Sequence, residues 1–144
     1  MINWEFLDDF NTNGDLWYDA NGLEMVHKQL WKRQEYNLSA TDNIASNFYP
    51  IQSAIAVRDK NSNKQVTIMT DRAMAGSAGI RNSRNIELMQ NRRIIGFDPD
   101  GVAQSLDDRD SFNNGIEVKA TYFMQIFDRM KTNTNGTTVS KQRE

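Results

Sequence analysis

At 144 residues, with 38% hydrophobic and 10% aromatic side chains, the chain has the size and material for one domain around one core. Its 17 basic and 19 acidic side chains leave a net charge of −2, which offers no large positive field for nonspecific nucleic-acid binding. The absence of cysteine excludes disulfides, Cys-zinc sites and thiol catalysis, and one histidine, His27, is too few for the usual zinc site of His and carboxylates.

The chain opens on "MINWEFLDDF", an acidic start unlike the basic start of a signal peptide. No segment approaches the roughly 20 apolar residues of a membrane helix. Next come "DLWYDANG" and "LEMVHKQLWK", which read as a strand pair turning at Asn21-Gly22. Both turn residues accept positive φ, which makes the pair a strong hairpin signal. His27 falls inside the second strand. Asn37 and Asn135 each begin a glycosylation acceptor triplet, a pattern that is common by chance.

In "YPIQSAIAVRDKNSNKQVTIMTD", Ile51, Ser53, Ile55 and Val57 alternate with Gln52, Ala54, Ala56 and Arg58. Period 2 predicts one strand, and Pro50 suits its start, where a missing N–H is tolerated. A polar turn over Asp59 to Lys64 leads to a second strand carrying Val66 and Ile68. Asp71-Arg72 then reads as a structural pair, the carboxylate capping turn N–H groups and the guanidinium bracing a neighbour.

The small-residue segment Ala73 to Gly79 lies among five arginines: Arg72, Arg81, Arg84, Arg92 and Arg93. A phosphate cradle would need a Gly-Lys-Ser/Thr step opening a helix, and "GSAG" has no lysine and opens onto a strand. The expectation is a tight turn between strands, with Gly76 inside it. "NIELMQNRRII" resumes the alternation, with Ile86 and Leu88 on one face and Glu87 and Met89 on the other. Of Arg92 and Arg93, in a strand or just past one, only one can point inward, where it needs a partner. That residue would make a structural ion pair or contact an anion or a sugar.

Asp107-Asp108 reads as solvated turn residues. "GIEVKATYFMQIFD" predicts a long strand with Ile116, Val118, Ala120, Tyr122, Met124 and Ile126 facing the core. "KTNTNGTTVSKQRE" has no apolar face and is expected to fray. The sum is an all-β antiparallel sandwich over residues 1–130, with a flexible tail over 131–144.

Taken in order, "LWYDANGLEM", "NFYPIQSAIAVRD", "QVTIMTDRAMAGSAG", "IELMQNRRI" and "DGVAQSL" resemble the C-terminal region of glycoside hydrolase family 38, the lysosomal-type α-mannosidases. The resemblance runs from Leu16 to Phe127. It implies a sandwich from the C-terminal side of a retaining enzyme whose zinc and aspartate nucleophile sit in a separate N-terminal α/β domain. Neither motif is present here, so no catalytic residue and no metal ligand is expected in this chain.

By resemblance, Arg92 and Arg93 border the mannose pocket. Asn21, Gly22, Pro50, Asp71, Arg72 and Gly76 match the motif skeleton. Asn91, Phe97 and Asp100 depart from the family pattern, as does "TYF" at Thr121 to Phe123. The implied partners are the enzyme's catalytic domain and mannose-bearing glycans, and the implied location is the lysosome, the vacuole or the secretory pathway. Two other readings stay open. One is an independent carbohydrate-binding or protein-interaction sandwich that stacks sugars on Trp17, Trp31, Tyr36 and Tyr49. The other is a truncated gene product. A domain without its partner is expected to show an apolar patch or unpaired strand edges, and to self-associate.

Overall fold

In the computed structural model, residues 1–6, 9–33, 44–93, 96 and 107–128 are described. They form nine strands: β1 (Ile2–Glu5), β2 (Asp15–Asp19), β3 (Met25–Gln29), β4 (Tyr49–Ile51), β5 (Ala54–Arg58), β6 (Lys64–Thr70), β7 (Met74–Ala78), β8 (Asn85–Met89) and β9 (Tyr122–Asp128). One sheet has the order β1-β8-β7-β4 and the other β3-β2-β5-β6-β9. Every paired strand is antiparallel. The expected all-β sandwich is what the chain forms. Residues 131–144, expected to be a tail, lie outside the described residues, as do Asn37 and Asn135.

The core lies between the sheets. Leu16, Tyr18, Ile55, Val57, Val66 and Ile68 come from one side, and Tyr49, Ile51, Ala78, Ile86 and Leu88 from the other. These residues alternate along their strands, as period 2 requires. Ile51, Ile55, Val57, Ile86 and Leu88 were legible as core from that alternation.

Four expectations need correction. First, Ile51 to Val57 is not one strand. The chain leaves the first sheet after Ile51 and enters the second at Ala54. Asp19, fully buried at the end of β2, holds this change of sheet. Its backbone carbonyl accepts the Gln52 N–H at 2.7 Å, and its carboxyl accepts from the Ser53 hydroxyl. The same carboxyl accepts the Gly22 N–H at 2.6 Å, so it also fixes the β2–β3 connection.

Second, Ala20 to Glu24 forms a loop closed by the Asp19–Met25 pair, and only Gly22 takes positive φ, at 82°. Asn21 contributes its side-chain carbonyl instead, accepting from the N–H groups of Leu23 and Glu24.

Third, Ala73 to Gly79 is not a turn. Met74–Ala78 is an inner strand between β4 and β8. The small residues serve close packing: a Cβ on Gly76 would lie 2.6 Å from Leu88 Cδ2 and 2.8 Å from Ile51 Cγ1. The turn comes after it, at Gly79 with φ 79°.

Fourth, β9 starts at Tyr122, not near Ile116. Its ladder partner β6 ends at Thr70, because Asp71 turns the chain towards β7. Asp71 caps that end as expected: its carboxylate accepts the Thr121 N–H at 2.8 Å and pairs with Arg72 Nε at 3.1 Å. Tyr122 reaches the core and meets Trp4 edge-on at 5.2 Å. Met124 and Ile126 share its face by alternation, yet they are 46% and 66% exposed. Among the described residues five strands face four, and the first sheet does not extend over these two side chains.

Gly76→Ala is expected to cost about 1–3 kcal/mol, the usual penalty for forcing atoms into a filled core. Urea unfolding followed by tryptophan fluorescence measures it. An unchanged midpoint would mean that Leu88 and Ile51 do not close over this residue.

Candidate functional site

The site is built where β8 ends. Gln90 ties the outgoing chain to the Val118 carbonyl through Nε2 at 2.8 Å, and the Asn91 side chain accepts the Arg92 N–H. Arg92 and Arg93 follow outside any strand, and both are exposed. Neither points into the core, contrary to the inward arginine expected from strand alternation. That rule lapses once the ladder ends at Met89.

The five arginines have distinct fates. Arg72 pairs with Asp71. Arg81 pairs with Glu87 at 2.6 Å, and Arg84 with Glu5 at 3.1 Å. Arg93 pairs with Asp107 through Nε. Among the described residues only the Arg92 side chain, of these five, has no ion-pair or hydrogen-bond partner. Glu87 is almost fully buried, and Arg81 together with the Asn85 amide supplies its polar contacts. A buried carboxylate requires such compensation.

Asp107 is the residue that sequence reasoning missed. It lies between two guanidinium groups: Arg93 on one oxygen, and Arg109 on the other at 2.9 and 3.0 Å. The Arg93 hydrogen bond, reinforced by Arg109, holds its carboxyl below the usual carboxylate range. The loop it anchors braces itself. Arg109 also donates to the Asn113 backbone and side-chain oxygens, and Asp110 accepts the N–H groups of Phe112 and Asn114. Phe112 stands at the tip, 82% exposed. The available signal was Asp107 followed by Arg109 at i+2 in a polar loop, which is too common a pattern to single out.

Of the aromatics named as a sugar platform, the three that lie among the described residues form no common stacking face. Tyr49 is in the core, stacked on Tyr18 at 5.0 Å. Trp17 is flanked by His27, stacked at 4.6 Å, and by the Arg58 guanidinium, 4.0 Å from its ring centroid. Trp31 is 44% exposed, and Tyr36 lies outside the described residues. An open pocket of about 380 Å³ lies along the Trp17 and Arg58 side chains, lined also by Asp15, Asp59 and Asn63. His27 is a β3 residue as expected, and its Nε2 lies 2.9 Å from Asp15. Among the described residues no three His, Asp or Glu side chains gather to hold a metal ion.

No family model matches the chain. Individual relatives do. It is 30% identical over 92% of its length to the lysosomal α-mannosidase of Felis catus, and 35% identical over 66% of its length to that of Homo sapiens. It is also 29% identical over 80% of its length to the α-mannosidase of Canavalia ensiformis. The chain is a C-terminal β region of the glycoside hydrolase family 38 α-mannosidase type. It covers only 9% to 12% of the length of these relatives.

Within this α-mannosidase region the matched motif residues hold the sandwich together. Gly22 turns the β2–β3 loop, and Pro50 sits on the edge strand β4. Gly76 admits Leu88 and Ile51, and Asp71 with Arg72 closes β6 against Thr121. Residues 97–106, with Phe97, Asp100 and the "DGVAQSL" match, lie outside the described residues.

Asp107→Asn removes the charge that holds both arginines. Chymotryptic cleavage at Phe112 should then accelerate at neutral pH, while the urea midpoint of the sandwich moves little. In the unmodified chain the pairing lowers the folded-state pKa of Asp107. Its contribution is therefore complete above the unfolded carboxylate value of about 3.9 and fades as pH falls through the lower folded value. NMR shifts of the Arg93 and Arg109 Nε–H groups should stay at their paired values at pH 5 and move only at stronger acidity. A change of shift that begins well above that range would contradict the pairing.

Proposed function

We propose that the chain is the non-catalytic C-terminal part of a retaining, zinc-dependent α-mannosidase that releases terminal α-D-mannose from glycans in the lysosome or vacuole. It braces the catalytic domain and forms one border of the mannose pocket. The observation that carries this reading is the split between two adjacent arginines. Arg93 is engaged by Asp107, and Arg92 is exposed and unengaged among the described residues. A guanidinium without an ion-pair partner, set between the Asn91 side chain that holds its N–H and an Arg93 held by Asp107, can donate several hydrogen bonds to the hydroxyls of one sugar. Arg93 and the Asp107 loop position it.

Zinc and the nucleophile belong to the remainder of the enzyme. The residues present do not fit zinc: the lone histidine is bonded to Asp15, and no ligand cluster surrounds it among the described residues. The partners proposed for this region are the rest of the same enzyme and mannose-bearing glycans. Phe112 and Ile116, 82% and 49% exposed, offer apolar contact to the catalytic domain.

Three outcomes follow from this assignment. With zinc and an aryl α-mannoside the isolated chain gives no turnover, and zinc-dependent aryl release would contradict it. Mannose titration leaves the chain's tryptophan fluorescence flat, whereas saturable binding would favour an independent carbohydrate-binding sandwich. In the whole enzyme, Arg92→Ala lowers kcat/KM about 10–100-fold, the loss of one charge-assisted hydrogen bond. Arg93→Ala acts mainly by loosening the 107–115 loop. Equal, purely kinetic losses at both positions would contradict the division of roles.

A further inference from the structure

Among the described residues the sandwich has four edge strands, and three of them carry features that discourage pairing. β1 has four residues and ends on Glu5. β4 has three residues with Pro50 in the middle. β3 carries Lys28. β9 is different. It is seven residues long, pairs with β6 in unbroken register, has no proline, and carries its one charged residue, Asp128, at its very end. Phe123, Met124 and Ile126 on it are 60%, 46% and 66% exposed.

We propose that β9 is a self-association edge that pairs with β9 of a second copy of this chain about a two-fold axis at Gln125. The sequence around that residue reads the same chemistry in both directions: Phe123, Met124, Gln125, Ile126, Phe127. An antiparallel pair centred on Gln125 sets Met124 against Ile126 and Phe123 against Phe127 of the second copy. Tyr122 of each copy faces Asp128 of the other, the remaining facing pairs are apolar apart from the two glutamines, and no like charges meet. Such matched cross-strand pairs are the unit of sheet stabilisation, and an isologous contact of this kind closes as a dimer.

The main chain agrees with this centre. The Asp71 N–H donates to the Thr121 carbonyl at 3.3 Å, and the β6–β9 register pairs Thr70 with Tyr122. Bonded rungs towards β6 therefore fall at Thr121, Phe123, Gln125 and Phe127. The N–H and C=O groups of Met124 and Ile126 point the other way, to the edge that no described strand occupies. A two-fold at Gln125 lets Met124 and Ile126 of each copy exchange those bonds. Gln125 becomes a non-hydrogen-bonded pair, with Cα atoms about 4.5 Å apart. The two five-stranded sheets would join into one of ten strands.

Sedimentation equilibrium of the chain is expected to give a dimer at about 10–100 µM, a range set by the modest area of one strand pair. Gln125→Lys sets like charges on the axis and should weaken association about fivefold or more. Mixing Gln125→Lys with Gln125→Glu should restore it. Gln125→Cys should give a disulfide-linked dimer on a non-reducing gel, because the pair spacing suits a disulfide and the chain has no other cysteine. Each variant's urea midpoint reports that the sandwich is intact. A chain monomeric throughout this range, a dimer indifferent to Gln125→Lys, or a Lys/Glu mixture that stays monomeric would overturn the proposal.

Discussion

The Asp19 carboxyl is the contact on which the two-sheet arrangement depends. It is buried at the end of β2, and it takes hydrogen bonds from Gly22 in the β2–β3 loop and from Ser53 at the sheet change. The backbone carbonyl of the same residue holds Gln52. One residue thus sets where the β2–β3 hairpin closes and where the chain steps from the first sheet to the second. If the step slipped by one residue, Ile51 would leave the core and Gln52 would enter it, since strand faces alternate. The packing of Ile51 and Leu88 over Gly76 and the register of β5 on β6 both follow from that placement.

The arginines are arranged by the same economy of polar groups. Of the three carboxylates the arginines meet at the strands, Glu87 is buried and needs compensation, while Glu5 and Asp71 are exposed and their pairs serve to brace strand ends. Arg81 answers Glu87 and Arg84 answers Glu5, at the start of β8, and Arg72 answers Asp71 where β6 ends. Past the end of β8 the ladder no longer dictates direction. There Arg93 pins the 107–115 loop through Asp107, and Arg92 projects without a partner among the described residues. The proposed pocket contact therefore lies just where the fold makes no structural demand on a cation.

Much of the fold was legible in the sequence. Alternation placed Ile55, Val57, Val66, Ile68, Ile86 and Leu88 correctly, and Asn21-Gly22 marked a real hairpin connection. Alternation could not reveal the sheet change, because Ile51, Ser53, Ile55 and Val57 keep period 2 straight through it. Nor could composition tell a turn from an inner strand at Ala73 to Gly79. Glycine is favoured both where φ is positive and where a neighbour approaches closely, and Gly76 is the second case. β9 shows a further gap: period 2 says which residues share a face, not whether another sheet reaches far enough to cover it. At the site, the arginine pair was visible, but its division of labour depends on Asp107, 14 residues from Arg93.

The most direct measurement is amide hydrogen exchange, with urea unfolding, of Asp19→Ala and Asp19→Asn against the unmodified chain. Losing the carboxyl leaves the Ser53 hydroxyl and the Gly22 N–H without their acceptor, so Asp19→Ala should cost about 2–4 kcal/mol. Asp19→Asn, which keeps one acceptor oxygen, should fall between. The predicted signature is loss of protection in β4 and β5 together with β2 and β3. Faster exchange confined to Ala20 to Glu24, with an unchanged urea midpoint, would show that Asp19 serves the turn alone and that something else holds the two sheets in register.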